Sequence, residues 1–296
     1  MVVVYNGSPD SSRSFRDALA EGLASHGYRD GENLKVEAVY VQFQWDRISE
    51  ILQKVIAGKP DIIVVSGSPG SLAAKKATST IPIVMASVGD PLGLGLVTSL
   101  ARPGGNVTGI GISAEAVVPK ALELLREMLP GIRSFGVLSD PRMPMASLVW
   151  KPLEATANRL SIALERYDAS SPEELERVLG GFSRGKPQAL LVNPFPLFSA
   201  HASKIVETLS SKRIPAMLTI DRAADLGALT AFWSDLAGGW RKTATYIHRI
   251  LQGAKPGDLA IELPTKYDLV INLKTAKALG IVIPQSVLLR TDRVIQ

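Results

Sequence analysis

Short runs of consecutive apolar residues alternate along this chain with longer stretches whose apolar positions recur every three or four residues. The runs open with Val2-Val-Val-Tyr5 and return at 34–41, 61–65, 83–85 and 107–112. The stretches with helical spacing fall at 12–26, 45–57 and 69–77. Short runs rich in β-branched residues fit strands buried on both faces, and a period near 3.6 fits a helix with one buried stripe. Further strands are expected at 135–138, 162–167, 189–192 and 216–218. A long helix is expected over 235–251, then a strand at 269–271 and a short helix at 275–279 stopped by Gly280. Strand and helix signals alternating in this way predict an α/β fold with mostly parallel sheets.

The pattern also repeats. Gly58-Lys-Pro-Asp-Ile-Ile-Val-Val65 is similar to Gly185-Lys-Pro-Gln-Ala-Leu-Leu-Val192. Each is followed by a polar turn, a helix, and then Ile-Pro with a short apolar strand, at Ile81-Pro-Ile-Val-Met85 and Ile214-Pro-Ala-Met-Leu218. Two copies are too few for a solenoid, so two Rossmann-like lobes are the simpler expectation. The boundary after Arg102-Pro-Gly-Gly-Asn106 makes 107–112 a strand that enters the second lobe. The expected lobes are 1–108 with 232–258, and 109–231 with 259–296. A chain that crosses more than once would form a multi-strand hinge suited to closure.

Composition narrows the function. The 296 residues are 46% hydrophobic and 21% charged, enough for two folded domains and unlike a disordered chain. Lys and Arg number 33 against 28 Asp and Glu, and the pI is near 9.4. The basic residues are scattered among acidic ones, without the concentrated positive stripe that nucleic acid requires, so no nucleic-acid partner is expected. The absence of cysteine removes thiolate metal sites, thiol nucleophiles and disulfides. The three histidines, His26, His201 and His248, are far apart and lack metal-ligand spacing. No nucleophile elbow, phosphate loop or dinucleotide fingerprint is present, so neither an enzyme nor a metal or cofactor is expected. No apolar run reaches the roughly 20 residues of a membrane-spanning helix.

In parallel α/β sheets, ligands sit beyond the carboxyl ends of the strands. The turns there are Asn6-Gly-Ser-Pro9, Ser66-Gly-Ser-Pro-Gly70, Ser87-Val-Gly-Asp-Pro91, Ser139-Asp-Pro141, Asn193-Pro-Phe195 and Thr219-Ile-Asp-Arg222. Ser68 reads as a helix N-cap and Pro69 as the first helical residue, while Gly67 and Gly70 let a ligand approach the backbone. Amides at such a helix start favour an anion such as a carboxylate; plain capping explains the same residues. Asp90 could pair with a ligand ammonium or simply shape the turn before Pro91. Asp140 and Asp221 carry the same two readings, and Phe195 and Trp233 are either ring-stacking or core aromatics.

These residues, taken together, resemble a known family. Pro264-Thr-Lys-Tyr-Asp-Leu-Val-Ile-Asn-Leu-Lys-Thr-Ala-Lys-Ala-Leu-Gly280, Arg102-Pro-Gly-Gly-Asn-Val-Thr-Gly109, Ile81-Pro-Ile-Val with Gly89-Asp-Pro91, and the Gly22…Gly27-Tyr28…Gly31-Glu-Asn33 start look like the ABC transporter substrate-binding family related to the tryptophan-binding lipoprotein. The resemblance implies a type I periplasmic-binding-protein fold with a ligand cleft between the lobes. It implies export, although the sequence opens directly on a strand and shows no leader. It also implies a small carboxylate ligand, such as an aromatic amino acid or aromatic acid, and delivery to an ABC permease and ATPase by a monomeric binding protein. Carried over by position, Ser66 and Ser68 would hold the carboxylate and Asp90 the amine. Ser8, Ser87, Asn193 and Asp221 would complete the shell. The rival expectations are a sensor of the same fold that feeds a receptor or regulator, and an enzyme on a two-lobed scaffold.

Overall fold

The computed structural model describes residues 1–296 and divides into two compact units, Met1–Ser113 with Asp235–Thr265, and Ala114–Ser234 with Lys266–Gln296. In chain order the first unit begins with β1 (Val2–Tyr5), α1 (Arg13–Ser25), β2 (Glu37–Tyr40), α2 (Ile48–Ala57), β3 (Ile63–Ser66), α3 (Gly67–Ala77), β4 (Ile83–Gly89) and β5 (Val107–Ile112). The second unit takes α4 (Ala114–Met128), β6 (Ser134–Ser139), α5 (Ala146–Arg159), β7 (Ala163–Asp168), α6 (Pro172–Gly181), β8 (Leu190–Val192), α7 (Pro196–Ala200), α8 (Ala202–Ser211), β9 (Ala216–Leu218) and β10 (Thr230–Ser234). The chain then returns α9 (Leu236–Leu251) to the first unit. It ends in the second with β11 (Tyr267–Asn272), α10 (Leu273–Leu279), α11 (Gln285–Leu288) and β12 (Arg293–Ile295).

The first unit is one parallel sheet in the order β2-β1-β3-β4-β5. Its inner strands are apolar throughout because both faces are covered. Val3, Tyr5, Val64 and Val84 face α1 and α9, packing against Leu19, Leu23, Trp240 and Ile247. Val4, Ile63, Val65 and Met85 face the other way, against Leu52 and Val55 of α2 and Ala74 of α3. Burying side chains such as Leu19 and Ile247 contributes on the order of 2–3 kcal/mol each. Helices α1 and α9 approach so closely at Gly22 that a β-carbon there would meet the carbonyl oxygen of Arg241 and lie 2.9 Å from the Ala244 Cβ.

The second unit has seven strands in the order β12-β11-β10-β9-β8-β6-β7, parallel except for the β10–β11 pair. Read from β7, its first five strands repeat the order of the first sheet, and β3 and β8, each led in by a Gly-Lys-Pro segment, hold the same place.

The chain passes between units at 113/114, 234/235 and 265/266, each a few residues later than expected. The reason lies in pairing. The strand at 107–112 belongs wholly to the first sheet because it pairs with β4. The segment before Thr265 is tied to it: Thr108 Oγ1 donates to the Leu259 carbonyl at 2.7 Å and Gly111 N to the Glu262 carbonyl at 2.9 Å. Likewise β10 stays with β9 and β11 up to Ser234.

Candidate functional site

Because β2, β1, β3 and β4 are parallel neighbours, the residues just past their carboxyl ends gather along one edge of the first sheet. Helix α3 starts there with no intervening loop. Its N-cap is Ser66, which directs no side-chain hydrogen bond into the first turn. By contrast, Asp235 and Asn272 cap α9 and α10 through Gly238 N at 2.7 Å and Thr275 N at 3.0 Å. The expectation that Ser68 caps this helix is therefore corrected: Gly67, Ser68 and Pro69 are its first three residues. Gly67 sits at φ +64°, a value glycine adopts freely and most residues do not. This early start places the amides of Gly67 and Ser68, which have no intrahelical acceptor, at the strand edge. Ser66 and Ser68 are themselves buried.

Asn6, directly after β1, lies across that turn. A β-carbon on Gly67 would collide with Asn6 Nδ2, and one on Gly70 would stand 4.0 Å from Asn6 Oδ1. The side chain is only 7% exposed, yet Oδ1 has no hydrogen-bond partner in the chain. A buried acceptor left unpaired costs about 1–3 kcal/mol, so an arriving N–H donor is favoured at this point.

On the other side of β3, β4 slips register between Met85 and Val88, and Ser87 takes φ +59° within this bulge. Gly109 on β5 makes room for it: at φ +130° it packs on the Met85 backbone where no β-carbon would fit. The strand is followed by Asp90, at φ +32° and half-buried, whose Oδ1 accepts from Gly93 N at 2.8 Å. Asp90 thus shapes the turn and makes no ion pair with any other side chain. Ser8 is partly occupied: its backbone N donates to Ser11 Oγ at 2.9 Å, and its Oγ accepts from Ser11 N at 3.2 Å, in the turn before α1.

The edge also holds aromatics that sequence reading passes over. Beyond β2, Gln42 and Phe43 adopt φ +53° and +58°, and Phe43 N donates to the Asn6 carbonyl at 2.8 Å. The Phe43 ring is half-buried against Gly7 and meets Trp45 edge-on, centroids 6.1 Å apart.

In the second unit, Asn193 follows β8, the counterpart of β3, and its Oδ1 is likewise buried without a partner. Asp140 is 1% exposed and folded into its own loop, its Oδ1 accepting from Arg142 N at 3.0 Å and from Ser170 Oγ. Burial pushes its carboxyl above the ordinary value of 3.8, with those hydrogen bonds opposing. Phe195 is buried beside Phe198, with centroids 6.3 Å apart, which makes it a core aromatic. Asp221 is exposed in the turn after β9, and Trp233 is half-buried in β10 opposite Asp268.

A cavity of about 270 Å³ in this unit, lined by Leu209, Arg213, Ile214, Ala216, Leu229 and Lys274, opens at the amino ends of β9 and β10. It lies on the opposite edge from Asn193. His26 and His248, remote in sequence, stack at 4.7 Å where α1 and α9 end. Tyr28 Oη contacts His248 Nδ1 at 3.1 Å. No group of three or more His, Cys, Asp or Glu is placed to hold a metal. The first edge therefore offers hydrogen-bond donors, one half-buried carboxylate and an aromatic ring, which suit recognition of a small polar molecule.

Two α/β units with the same strand order and polar carboxyl edges define the type I periplasmic-binding-protein architecture. The chain belongs to the ABC transporter substrate binding protein family, whose model matches residues 2–295. It is 27% identical over 264 residues to a tyrosine-binding protein of Clostridioides difficile, covering 89% of this chain and 76% of that one. Among solved structures, a conserved domain protein from Vibrio cholerae superposes with a TM-score of 0.89 at 27% identity, covering 99% of this chain and 98% of the other. An ABC domain from Streptococcus pneumoniae in complex with L-Trp gives 0.87 at 25% identity, with the same coverage. Members of this family serve ABC transporters by binding a small molecule outside the cytoplasm. No helix here is long and apolar enough to cross a membrane.

Proposed function

We propose that this chain captures a small zwitterionic carboxylate, an aromatic amino acid foremost, and presents it to an ABC permease and its ATPase as a monomer that catalyses nothing. The observation that carries the reading is the buried, unpaired Asn6 amide set over the uncapped start of α3. A carboxylate at the Gly67 and Ser68 amides gains both hydrogen bonds and the helix dipole. The Ser66 and Ser68 hydroxyls border that position. Asp90, with no cation of its own, meets the ammonium, and Asn6 Oδ1, on the other side of the α3 start, accepts from a further N–H or O–H group of the ligand. Ser87 and Ser8 border the same edge. In the second unit the same reasoning favours Asn193, and Asp221 less directly, as ligand-binding residues. Asp140 and Phe195 are left to structure. The tyrosine- and tryptophan-binding relatives support the aromatic side chain.

The test is a thermal-shift screen of aromatic amino acids and aromatic acids, followed by calorimetry on the hits. A ligand at 100 times its Kd stabilises by about 2.7 kcal/mol. Absence of any shift rejects the ligand class. For an amino-acid ligand, Asp90→Ala is expected to abolish binding, and unchanged affinity removes Asp90 from the site.

A further inference from the structure

The proposed function accounts for the charged end of the ligand and leaves open what reads its side chain. Three observations converge on Phe43. The first is backbone strain: Gln42 and Phe43 are consecutive non-glycine residues in the left-handed region, at φ +53° and +58°. L-residues occupy it at a cost, which persists when the surroundings hold the conformation in place. The second is what holds it. Val41 N, Gln42 N and Phe43 N donate in turn to the carbonyls of Tyr5, Gly7 and Asn6, at 2.9, 3.3 and 2.8 Å. The strained turn is thus laced to the tail of β1, and Phe43 and Asn6 are positioned together. The third is the ring. Its Cζ lies 3.2 Å from where a Gly7 β-carbon would be, so the absence of a side chain at Gly7 admits the ring to the strand edge. Trp45, itself packed on the core, braces the Phe43 ring edge-on and leaves it half-buried.

The strand order fixes the direction in which a ligand would extend. From the α3 start at β3, past Asn6 at β1, to Phe43 beyond β2 is two strand spacings, roughly 10 Å. With the carboxylate at α3 and the ammonium toward β4, the ligand side chain points along the edge to β2.

We infer that Phe43 is the specificity residue of this site, its ring packing on an aromatic ring of the bound ligand. The inference rests on the proposed function and fails with it, but the two failures differ in the laboratory. The experiment is calorimetry of tyrosine, tryptophan, phenylalanine and leucine against the wild type, Phe43→Leu and Phe43→Tyr, with circular dichroism and thermal unfolding of each protein. Phe43→Leu keeps bulk and removes the ring. It is expected to weaken the best aromatic ligand about 5- to 10-fold, the scale of a lost aromatic pair. Leucine, whether bound weakly or not at all, is expected to change by less than about twofold on the same ground, and Phe43→Tyr to restore the aromatic affinity. Equal losses for aromatic and aliphatic ligands, failure of Phe43→Tyr to restore affinity, or undiminished aromatic binding by Phe43→Leu overturns the assignment while the proposed function stands. No aromatic binding by the folded wild type overturns both.

Discussion

Replacing Asn6 by leucine separates a ligand-binding role from a structural one. Leucine has the same heavy-atom count and branching as asparagine but no polar atoms. Asn6 is 7% exposed and its Oδ1 is unpaired, so the ligand-free protein carries the cost of a desolvated acceptor, about 1–3 kcal/mol. Leucine removes that cost. The backbone carbonyl of residue 6, which accepts from Phe43 N, is unaffected. Ligand-free Asn6→Leu is therefore expected to equal or exceed the wild type in stability. The gain is up to about 2 kcal/mol once some crowding against Gly67 is allowed for. In a domain of this size, one kcal/mol moves the Tm by about 2–4 °C. Binding moves the other way. Loss of a hydrogen bond to a charged ligand costs about 1.5–3 kcal/mol, roughly a 10- to 150-fold weaker Kd. Thermal or urea unfolding without ligand and calorimetry with ligand measure the two quantities on one preparation. A variant that loses more than about 1 kcal/mol of stability while keeping its Kd would show that Asn6 braces the fold, and the reasoning would be wrong.

Two further predictions concern packing and charge. Gly22→Ala and Gly180→Ala both gain about 0.5–1 kcal/mol of helix propensity. Only the first meets backbone atoms across a helix interface, whereas an added β-carbon at Gly180 meets nothing within 4 Å. Overpacking costs about 1–3 kcal/mol. Urea titration should then show Gly22→Ala destabilised and Gly180→Ala stabilised, and a shared sign would contradict the α1–α9 packing. For Asp140, burial raises the folded-state pKa above 3.8, so the folded protein holds the proton more tightly than the unfolded chain. That contribution is complete below about pH 4 and is lost as pH rises through the folded value. Asp140→Asn should raise the melting temperature at pH 7, with the gain vanishing near pH 4; an equal gain at both would rule out titration of this group as the cause.

The elements were largely legible. Short apolar runs placed the strand at 107–112 and the one at 216–218 with the bounds the structure shows, and a period near 3.6 set the long helix within a residue. The repeat at Gly58 and Gly185 pointed to a duplicated strand order. Partnership was less visible, since the strand at 107–112 carries no local mark saying which sheet it joins. The start of α3 was misplaced because Pro69 suits a first helical position, while the actual start depends on Gly67 in a left-handed conformation against Asn6. Small polar turns put forward Ser66, Ser68, Ser87 and Asp90, and the strand order brings these turns to one edge of the first sheet. Asn6 stood in one of those turns but was not singled out, because the absence of a partner is a tertiary fact. Phe43 was missed for a sharper reason: no glycine or Asn-Gly pair announces the left-handed turn that carries it. Asp140 and Phe195 follow strand ends as expected, and their contacts, Asp140 with Ser170 and Phe195 with Phe198, were not legible in the sequence.

The three passages between units have a consequence for how the polypeptide matures. Leu19, Val64 and Val84 wait for Trp240 and Ile247, which leave the ribosome only after most of the second unit has been made. The second unit in turn waits for its last strands, β11 and β12. Each core is thus completed only by segments from late in the chain, so neither unit is whole until nearly all of the polypeptide is present.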